Sequence, residues 1–243
     1  MPKIVQNQDP IETKDIPGNT MIEMIKVSRT YAPDIKALSD ISFTVDTGEL
    51  FFLIGRSGAG KTTLLKLICN MDTPSKGLIE VAGHNINNLK GKKLAHLRQK
   101  IGVAYQDFKL LSDRTVAENI AISMEVSYKK PRAIRQRVRD LLEQLQLTDK
   151  HDALTGDLSR GEQQRIALAR SVANSPRLIL VDEPTGNLDA ATTERVMDLL
   201  TRCNKAGATI VIATHDASIY QKGNHRVMEL RNGKIHSLSR NSR

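Results

Sequence analysis

The sequence predicts an α/β fold in which a mixed, mainly parallel sheet is joined to an antiparallel β subdomain and an inserted helical subdomain. The first observation is that apolar runs of strand length occur towards both ends of the chain. The second is that helical periodicity dominates from Asp107 to Val172. A sheet whose strands come from both sides of a helical region is typical of an α/β core with an insertion.

Length and composition bound the number of domains. The 243 residues, 40% of them apolar, can build one large α/β domain or two closely packed subdomains. Residues 1–20 contain prolines and amides without a periodic pattern, so we predict a flexible N-terminal tail there. The main domain is then predicted at residues 21–243, with its helical subdomain at about 107–172.

The first block alternates short strands with turns. Its predicted strands are Ile22–Val27, Ile41–Val45, Leu50–Ile54 and Leu78–Val81. The segment Asp46–Glu49 contains Gly48 and is predicted to close a hairpin.

Strands return after the helical region. They are predicted at Leu178–Val181, Thr209–Ala213 and Arg226–Leu230, and a helix from about Ala190 to Cys203 separates the first two. Near the end, Arg231–Lys234 carries the Asn-Gly signal of a two-residue hairpin.

One predicted helix of the insertion, Ala133–Leu147, has an apolar stripe beside a basic face. The stripe comprises Ile134, Val138, Leu141, Leu142 and Leu145. The basic run that begins at Lys129 is either a solvated helix face or a contact for anionic lipid headgroups.

Composition excludes several classes of protein. No apolar run approaches the roughly 20 residues of a membrane span, and the N-terminus lacks an apolar signal-peptide core. We therefore expect a cytosolic protein or one bound to a membrane from the cytosol. The net charge of +9 favours an anionic partner, and the aromatic content of 3% favours a membrane surface over nucleic acid. Cys69 and Cys203 are predicted to be buried thiols rather than a disulfide.

A glycine-rich loop follows the apolar strand at Leu50–Ile54 and precedes a predicted helix. Its residues are Gly55, Arg56, Ser57, Gly58, Ala59, Gly60, Lys61, Thr62 and Thr63. Glycine allows a tight backbone to approach phosphate, and the N–H groups of the loop and helix face the anion. Lys61 is predicted to reach the β- and γ-phosphates of a nucleotide, and the Thr62 hydroxyl to ligate Mg²⁺.

Other strands also end in polar residues. The strand Leu178–Val181 ends in Asp182 and Glu183, at the sheet edge where α/β proteins bind ligands. Asp182 is placed to hold Mg²⁺, and Glu183 to orient or deprotonate the attacking water. His215 follows the strand expected beside it and is a candidate contact for the γ-phosphate. Gln106 ends a further strand, where its neutral amide can sense Mg²⁺ or water.

The segment Leu158–Gln164, together with these motifs, resembles the signature of the ABC-type ATPases. The resemblance covers essentially Met21 to His236 and includes Asn187–Asp189. It implies a P-loop NTPase core of the ABC ATPase type that binds and hydrolyses ATP with Mg²⁺. It also implies a homodimer that closes on ATP.

The resemblance assigns further roles to particular residues. Tyr31 is the aromatic that stacks on adenine. Ser159, Gly161 and Glu162 belong to the signature, which contacts the ATP held by the other protomer. Arg160 stands where the family usually has a glycine, and this cation could assist or hinder closure.

The partner of such an ATPase is an integral membrane subunit. The resemblance places its docking groove beside Gln106–Arg114, where Phe108, Leu110 and Leu111 form an apolar cluster. The alternative is that these side chains fill the core of the helical subdomain itself.

Within the family, Asp107–Val116 most resembles the cell-division branch, whose members transmit ATP-driven motion to cell-wall hydrolases through a membrane protein. A related lipoprotein-release or macrolide exporter is the alternative. A soluble ABC protein that acts on DNA or ribosomes is less favoured, because the chain has neither a second cassette nor a long coiled coil. In the favoured case the protein is peripheral, on the cytoplasmic face of the inner membrane.

Overall fold

The computed structural model describes residues 19–186 and 188–240, which form two sheets and seven α-helices. Positions 1–18 of the predicted tail lie outside the described residues. The first strand begins at Thr20, the last position of the predicted tail. No helix in the described part of the chain has both the length and the apolar character of a membrane span.

The strands lie close to the predicted positions, and most are longer than predicted. They are β1 (Thr20–Tyr31), β2 (Ile35–Asp46), β3 (Leu50–Ile54), β4 (Lys76–Val81), β5 (His84–Asn85), β6 (Ile101–Ala104), β7 (Leu178–Asp182), β8 (Thr209–Thr214), β9 (Arg226–Arg231) and β10 (Lys234–Arg240).

The helices occupy the segments between these strands. They are α1 (Lys61–Ile68), α2 (Gly91–Gln99), α3 (Val116–Glu125), α4 (Pro131–Gln144), α5 (Arg160–Ala173), α6 (Ala190–Lys205) and α7 (Ala217–Tyr220). Several begin at side chains that accept the first free N–H groups. Thr115 caps α3, Ser159 caps α5 and Asp189 caps α6.

Two sheets divide the strands. The antiparallel sheet has the order β2-β1-β4-β5, and the mixed sheet has the order β10-β9-β3-β8-β7-β6. All neighbouring pairs from β9 to β6 are parallel, and β10 is antiparallel to β9. The Asn-Gly hairpin at Arg231–Lys234 is confirmed.

The predicted hairpin at Asp46–Glu49 is wrong. A turn does occur there, but β2 and β3 belong to different sheets. The turn carries the chain from one sheet to the other. β2 and β3 form their backbone hydrogen bonds with other strands. The residues of a turn do not specify which strands those are.

Two hydrophobic cores cover the two faces of the mixed sheet. Successive residues of a strand point to opposite faces, so Phe51 and Phe52 enter different cores. Phe52 packs with α3, α4, α5 and α6, and Phe51 packs with α1 and the antiparallel sheet. The apolar stripe predicted from Ile134 to Leu145 is buried in the first core. Both cysteines are free, with Cys69 buried and Cys203 half-buried.

A close approach between β6 and α5 gives a stability prediction. A Cβ added at Gly102 would lie within the contact distance of the Ser171 carbonyl oxygen. Gly102→Ala should therefore lower the free energy of unfolding by about 3 kcal/mol, the upper end for overpacking, as measured by urea denaturation. Gly91→Ala is the control, because its methyl enters open space at a φ of 53° and should cost only about 1 kcal/mol. Equal stability of Gly102→Ala and the unaltered chain would contradict this packing.

Candidate nucleotide site

The glycine-rich loop joins β3 to α1 at the carboxyl edge of the mixed sheet. Gly60 caps α1 with a φ of 108°, a value that L side chains rarely adopt. A Cβ on Gly60 would also lie 2.8 Å from the Ala37 carbonyl oxygen. The loop therefore requires glycine at this position for its conformation and for its packing against β2.

Lys61 is the buried cation of the loop. Its Nζ donates to the Gly55 carbonyl oxygen at 2.6 Å and to the Arg56 carbonyl oxygen at 3.4 Å. The same nitrogen lies 3.2 Å from Oε1 of Glu183. Only 7% of the side chain is exposed, so the ammonium group is held at the base of the loop.

Asp182 and Thr62 form a second polar pair beside Lys61. The Thr62 hydroxyl donates to Oδ2 of Asp182 at 2.6 Å. The other carboxylate oxygen, Oδ1, is buried and accepts no hydrogen bond from the residues that the structure describes. Burial raises the pKa of Asp182 above its ordinary value, and the Thr62 hydrogen bond opposes this shift. A hydroxyl and a buried carboxylate with a free lone pair are ligands that suit Mg²⁺.

Glu183 lies between a lysine and a histidine. Its Oε2 accepts the His215 backbone N–H at 3.3 Å and lies 2.9 Å from Nδ1 of the His215 ring. Gln164 donates its side-chain amide to the Glu183 carbonyl oxygen at 2.7 Å. Glu183 also has a φ of 51°, an uncommon value for a residue other than glycine. Contacts from Lys61 and His215 hold this carboxylate in one place, and the Gln164 amide holds the Glu183 backbone.

These groups line one cavity of about 690 Å³. The predicted site residues that line it are Tyr31, Arg56, Ser57, Gly58, Ala59, Gly60, Lys61, Thr62, Thr63, Gln106, Asp182, Glu183 and His215. Gly55 is absent from the wall but accepts the Lys61 hydrogen bond from below.

Tyr31 is held by two neighbours that the sequence analysis did not identify. The Arg29 guanidinium carbon lies 4.5 Å from the centre of the Tyr31 ring, and the Tyr31 hydroxyl donates to Asp72 at 2.6 Å. Arg29 and Asp72 also pair with each other at 2.7 Å. These contacts fix the ring at one end of the cavity.

Five further residues of the cavity wall were not predicted as site residues, namely Ile35, Lys36, Ala37, Gln164 and Gly186. Lys36 lies on the strand that pairs with β1 just beyond Tyr31, and the hairpin register could have indicated it. Gln164 lies on α5 and was seen only as part of the signature segment.

Ser159, Arg160, Gly161 and Glu162 of the signature segment do not line the cavity of their own chain. Ser159 caps α5 by accepting the Glu162 N–H, and Glu162 in turn accepts from the Ser159 N–H and hydroxyl. The Ser159 hydrogen bond lowers the pKa of Glu162. Glu162 therefore holds the signature loop in shape, while Ser159 and Arg160 are exposed and Gly161 is half-buried at the helix start. Asn187 lies outside the described residues.

The cavity combines a phosphate loop, a candidate metal pair and a fixed carboxylate, and known proteins share the motifs. A family model described as ABC transporter matches residues 38–186. The chain therefore belongs to the ABC transporter family, and it is an ABC-type ATPase. The family predicted from the sequence is confirmed.

Similar proteins show which branch of the ABC ATPases this chain resembles. The chain is 43% identical over 216 residues to the cell division ATP-binding protein FtsE of Escherichia coli strain K12, covering 89% of this chain and 97% of that protein. It is also 43% identical over 216 residues to FtsE of Mycobacterium tuberculosis, covering 88% and 94%. A solved dimeric structure of the ATP-binding cassette MJ0796 with ADP and Pi has a TM-score of 0.87 and 31% identity, and covers 92% of this chain and all of that one. The chain is thus an FtsE-like ABC ATPase.

The buried carboxylate of Asp182 gives a pH-dependent prediction. Its folded pKa lies above the unfolded value, so its charge destabilises the nucleotide-free fold above the folded pKa, and this effect fades as the pH falls towards 3.8. Asp182→Asn should raise the Tm at neutral pH, by about 2–4 °C for each kcal/mol gained, with a smaller gain at mildly acidic pH.

Melting with and without Mg·ATP completes this test. Asp182→Asn should lose the Mg²⁺-dependent part of the stabilisation by ATP. Asp198→Asn removes the same charge from an exposed position and serves as the control. A lower Tm for Asp182→Asn without nucleotide would contradict the assigned cost of burying this charge.

Proposed function

We propose that the chain binds Mg·ATP in the 690 Å³ cavity and couples its hydrolysis to a membrane partner, in the manner expected of an FtsE-like protein. The observation that carries this proposal is the convergence of Lys61, Thr62, Asp182, Glu183 and His215 at one sheet edge. The chain supplies the cation, the metal ligands and the base that phosphoryl transfer to water needs.

Each side chain has a role that its contacts support. Lys61 exchanges its carbonyl and carboxylate contacts for the β- and γ-phosphate oxygens. Thr62 and Asp182 would hold Mg²⁺ in the cavity that Gln106 also lines, and the ion would supply positive charge to the phosphates. Glu183 accepts the proton of the attacking water, and His215 orients the carboxylate or contacts the γ-phosphate. Tyr31 stacks on adenine.

A second copy of the chain completes the site. Ser159 and Gly161 lie at the start of α5 and away from the cavity of their own chain, so they are available to the ATP of a partner protomer. The N–H groups at the start of a helix favour phosphate. The dimeric state of the MJ0796 cassette supports this arrangement.

The membrane partner is proposed to be an integral subunit like FtsX, which would carry ATP-driven motion to cell-wall hydrolases during cell division. The identity to FtsE proteins supports this role. The protein would then be peripheral, on the cytoplasmic face of the inner membrane. The ATPase of a lipoprotein-release or macrolide exporter remains the alternative.

A groove beside the Gln106 loop is the proposed docking surface. It has a volume of about 450 Å³, and Arg98, Val126 and Arg170 lie along it. Arg170 donates at 2.7 Å to the carbonyl oxygens of both Phe108 and Lys109, so the loop is fixed to the groove wall. Movement of a helix of the membrane subunit, docked in this groove, would therefore be transmitted to the loop that begins at Gln106.

Glu183→Gln tests the catalytic proposal. The amide has nearly the same shape but cannot accept the proton, so turnover should fall by at least about 100-fold while ATP affinity stays within a few-fold. Phosphate release, nucleotide titration and size exclusion with ATP measure these effects, and an ATP-bound dimer should accumulate. Glu194→Gln, on the exposed side of α6, is the control. Unchanged turnover in Glu183→Gln would rule out the proposed base.

The burial of Phe108 assigns this side chain to the interior rather than to the predicted docking surface. This side chain is only 6% exposed, whereas Leu111 is 41% exposed and its backbone forms two hydrogen bonds with the Asn119 side chain. Phe108→Ala should act as a core change and cost about 3–5 kcal/mol of stability. Leu111→Ala should change stability by about 0.5 kcal/mol or less.

Capture of the co-expressed membrane subunit separates these two roles. Leu111→Ala should weaken capture and leave basal ATP binding intact. Leu238→Ala, another half-exposed leucine on β10, should leave capture unchanged. Full capture by a stable Leu111→Ala variant would remove Leu111, which lies outside the lining of the 450 Å³ groove, from the proposed interface.

A further inference from the structure

A second cavity lies at the edge of the mixed sheet opposite the nucleotide. Asp182 ends β7 and His215 follows β8, whereas this cavity surrounds the amino ends of the two strands at Arg177 and Ala208. Its volume is about 510 Å³. Helices α4, α5 and α6 contribute to its wall, together with the segments that precede β7 and β8.

Three arginines from these elements line the cavity: Arg137 on α4, Arg177 before β7 and Arg202 on α6. No aspartate or glutamate is among its lining residues within the part of the chain that the structure describes. None of the three arginines forms an ion pair within 4.0 Å with another described residue.

The hydrogen bonds of these arginines leave most of their donors available. Arg137 donates to the carbonyl oxygens of Val172 and Ala173, and Nε of Arg202 donates to the Asp198 carbonyl oxygen. The Arg177 side chain has no hydrogen bond to the residues described. Each guanidinium carries five N–H donors, so the three groups keep a large capacity for an oxyanion.

An adjoining cavity adds further basic residues to this surface. It has a volume of about 240 Å³ and shares Ser175, Pro176 and Arg177 with the first cavity. Its wall adds His96, Lys100 and Lys129, again without an acid among its described lining residues.

A solvated basic surface is the simpler explanation, because Arg177 and Arg202 are exposed and Arg137 alone of the three is half-buried. It does not explain why arginines from three elements line one cavity that has no acid among its described lining residues. Hydrogen bonds to the carbonyl groups at the end of α5 partly explain the position of Arg137. They do not account for Arg177, which comes from another element and faces the same concave surface.

We propose that these joined cavities form an anion site for a phosphate-bearing ligand, either the headgroup of an anionic lipid or a soluble phosphate compound. Guanidinium groups bind phosphate oxygens in pairs of parallel hydrogen bonds, and phosphate offers more acceptor oxygens and charge than a single carboxylate. Three guanidinium groups from three directions suit such a ligand. The site is independent of the role proposed for the nucleotide cavity.

Cys203 provides a reporter inside the site. Its thiol lines the larger cavity and is half-buried. Burial raises the pKa of this thiol, while the charges of Arg137 and Arg202 oppose the shift. Cys69 is buried and lines neither cavity, so the two cysteines are distinguishable by peptide mapping.

The experiment measures the rate at which iodoacetamide, an uncharged reagent, alkylates Cys203 in the full chain. Mg·ADP is kept saturating so that the nucleotide cavity does not take up the probe. The probes are glycerol phosphate, vesicles of phosphatidylglycerol in phosphatidylcholine, vesicles of phosphatidylcholine alone and a polyglutamate peptide. A bound probe should slow alkylation by about tenfold at about ten times its Kd, because only the free fraction reacts.

The paired variant Arg177→Gln with Arg202→Gln should abolish this protection without changing Mg·ADP affinity. Lys76→Gln with Lys234→Gln removes the same charge from exposed positions outside both cavities and should keep it. Protection by glycerol phosphate supports a soluble ligand, and protection by phosphatidylglycerol vesicles alone supports a lipid headgroup.

Three results would overturn the proposal. The first is no protection by either phosphate probe. The second is equal protection in the paired arginine variant. The third is protection by polyglutamate without protection by the phosphate probes, which would instead indicate an acidic protein segment.

Discussion

The strand order β3-β8-β7 is the constraint on which the nucleotide cavity depends. Ala213 of β8 pairs in register with Leu53 of β3 on one side and with Asp182 of β7 on the other. Because all three strands are parallel, their carboxyl ends bring the glycine-rich loop, His215 and the acidic pair to one edge. Residues more than a hundred positions apart in the chain thus meet without any local signal between them.

The charges at this edge are held at a cost that their contacts only partly offset. Lys61 and Glu183 are both largely buried and pair with each other, whereas Asp182 has a single hydroxyl donor for one oxygen and none for the other. A buried carboxylate that lacks partners destabilises a fold unless a cation is supplied. The charges of this site are therefore better balanced when a ligand that brings a cation is bound than in the isolated chain.

The helical insertion places the start of α5 on a surface outside the nucleotide cavity. The capping contacts between Ser159 and Glu162 fix the start of α5, and Arg160, the first residue of this helix, is exposed. A guanidinium at this position adds positive charge to a helix end that already favours anions. A guanidinium and a phosphate charge about 5 Å apart, at an effective dielectric of about 20, would attract each other by roughly 3 kcal/mol before solvent screening. Exposure reduces this attraction to about 1 kcal/mol or less.

The sequence by itself determined the strands of the core, the phosphate loop and the acidic strand end, because these depend on local periodicity and on glycine and charge at fixed spacing. It also predicted the burial of Ile134 to Leu145. It could not decide which sheet a strand joins, so the local pattern at Asp46–Glu49 predicts a hairpin where the structure has a connection between two sheets. It could not separate buried Phe108 from exposed Leu111, and it missed Arg29 and Asp72 around Tyr31. Those outcomes depend on contacts between distant segments, which only the packed tertiary structure specifies.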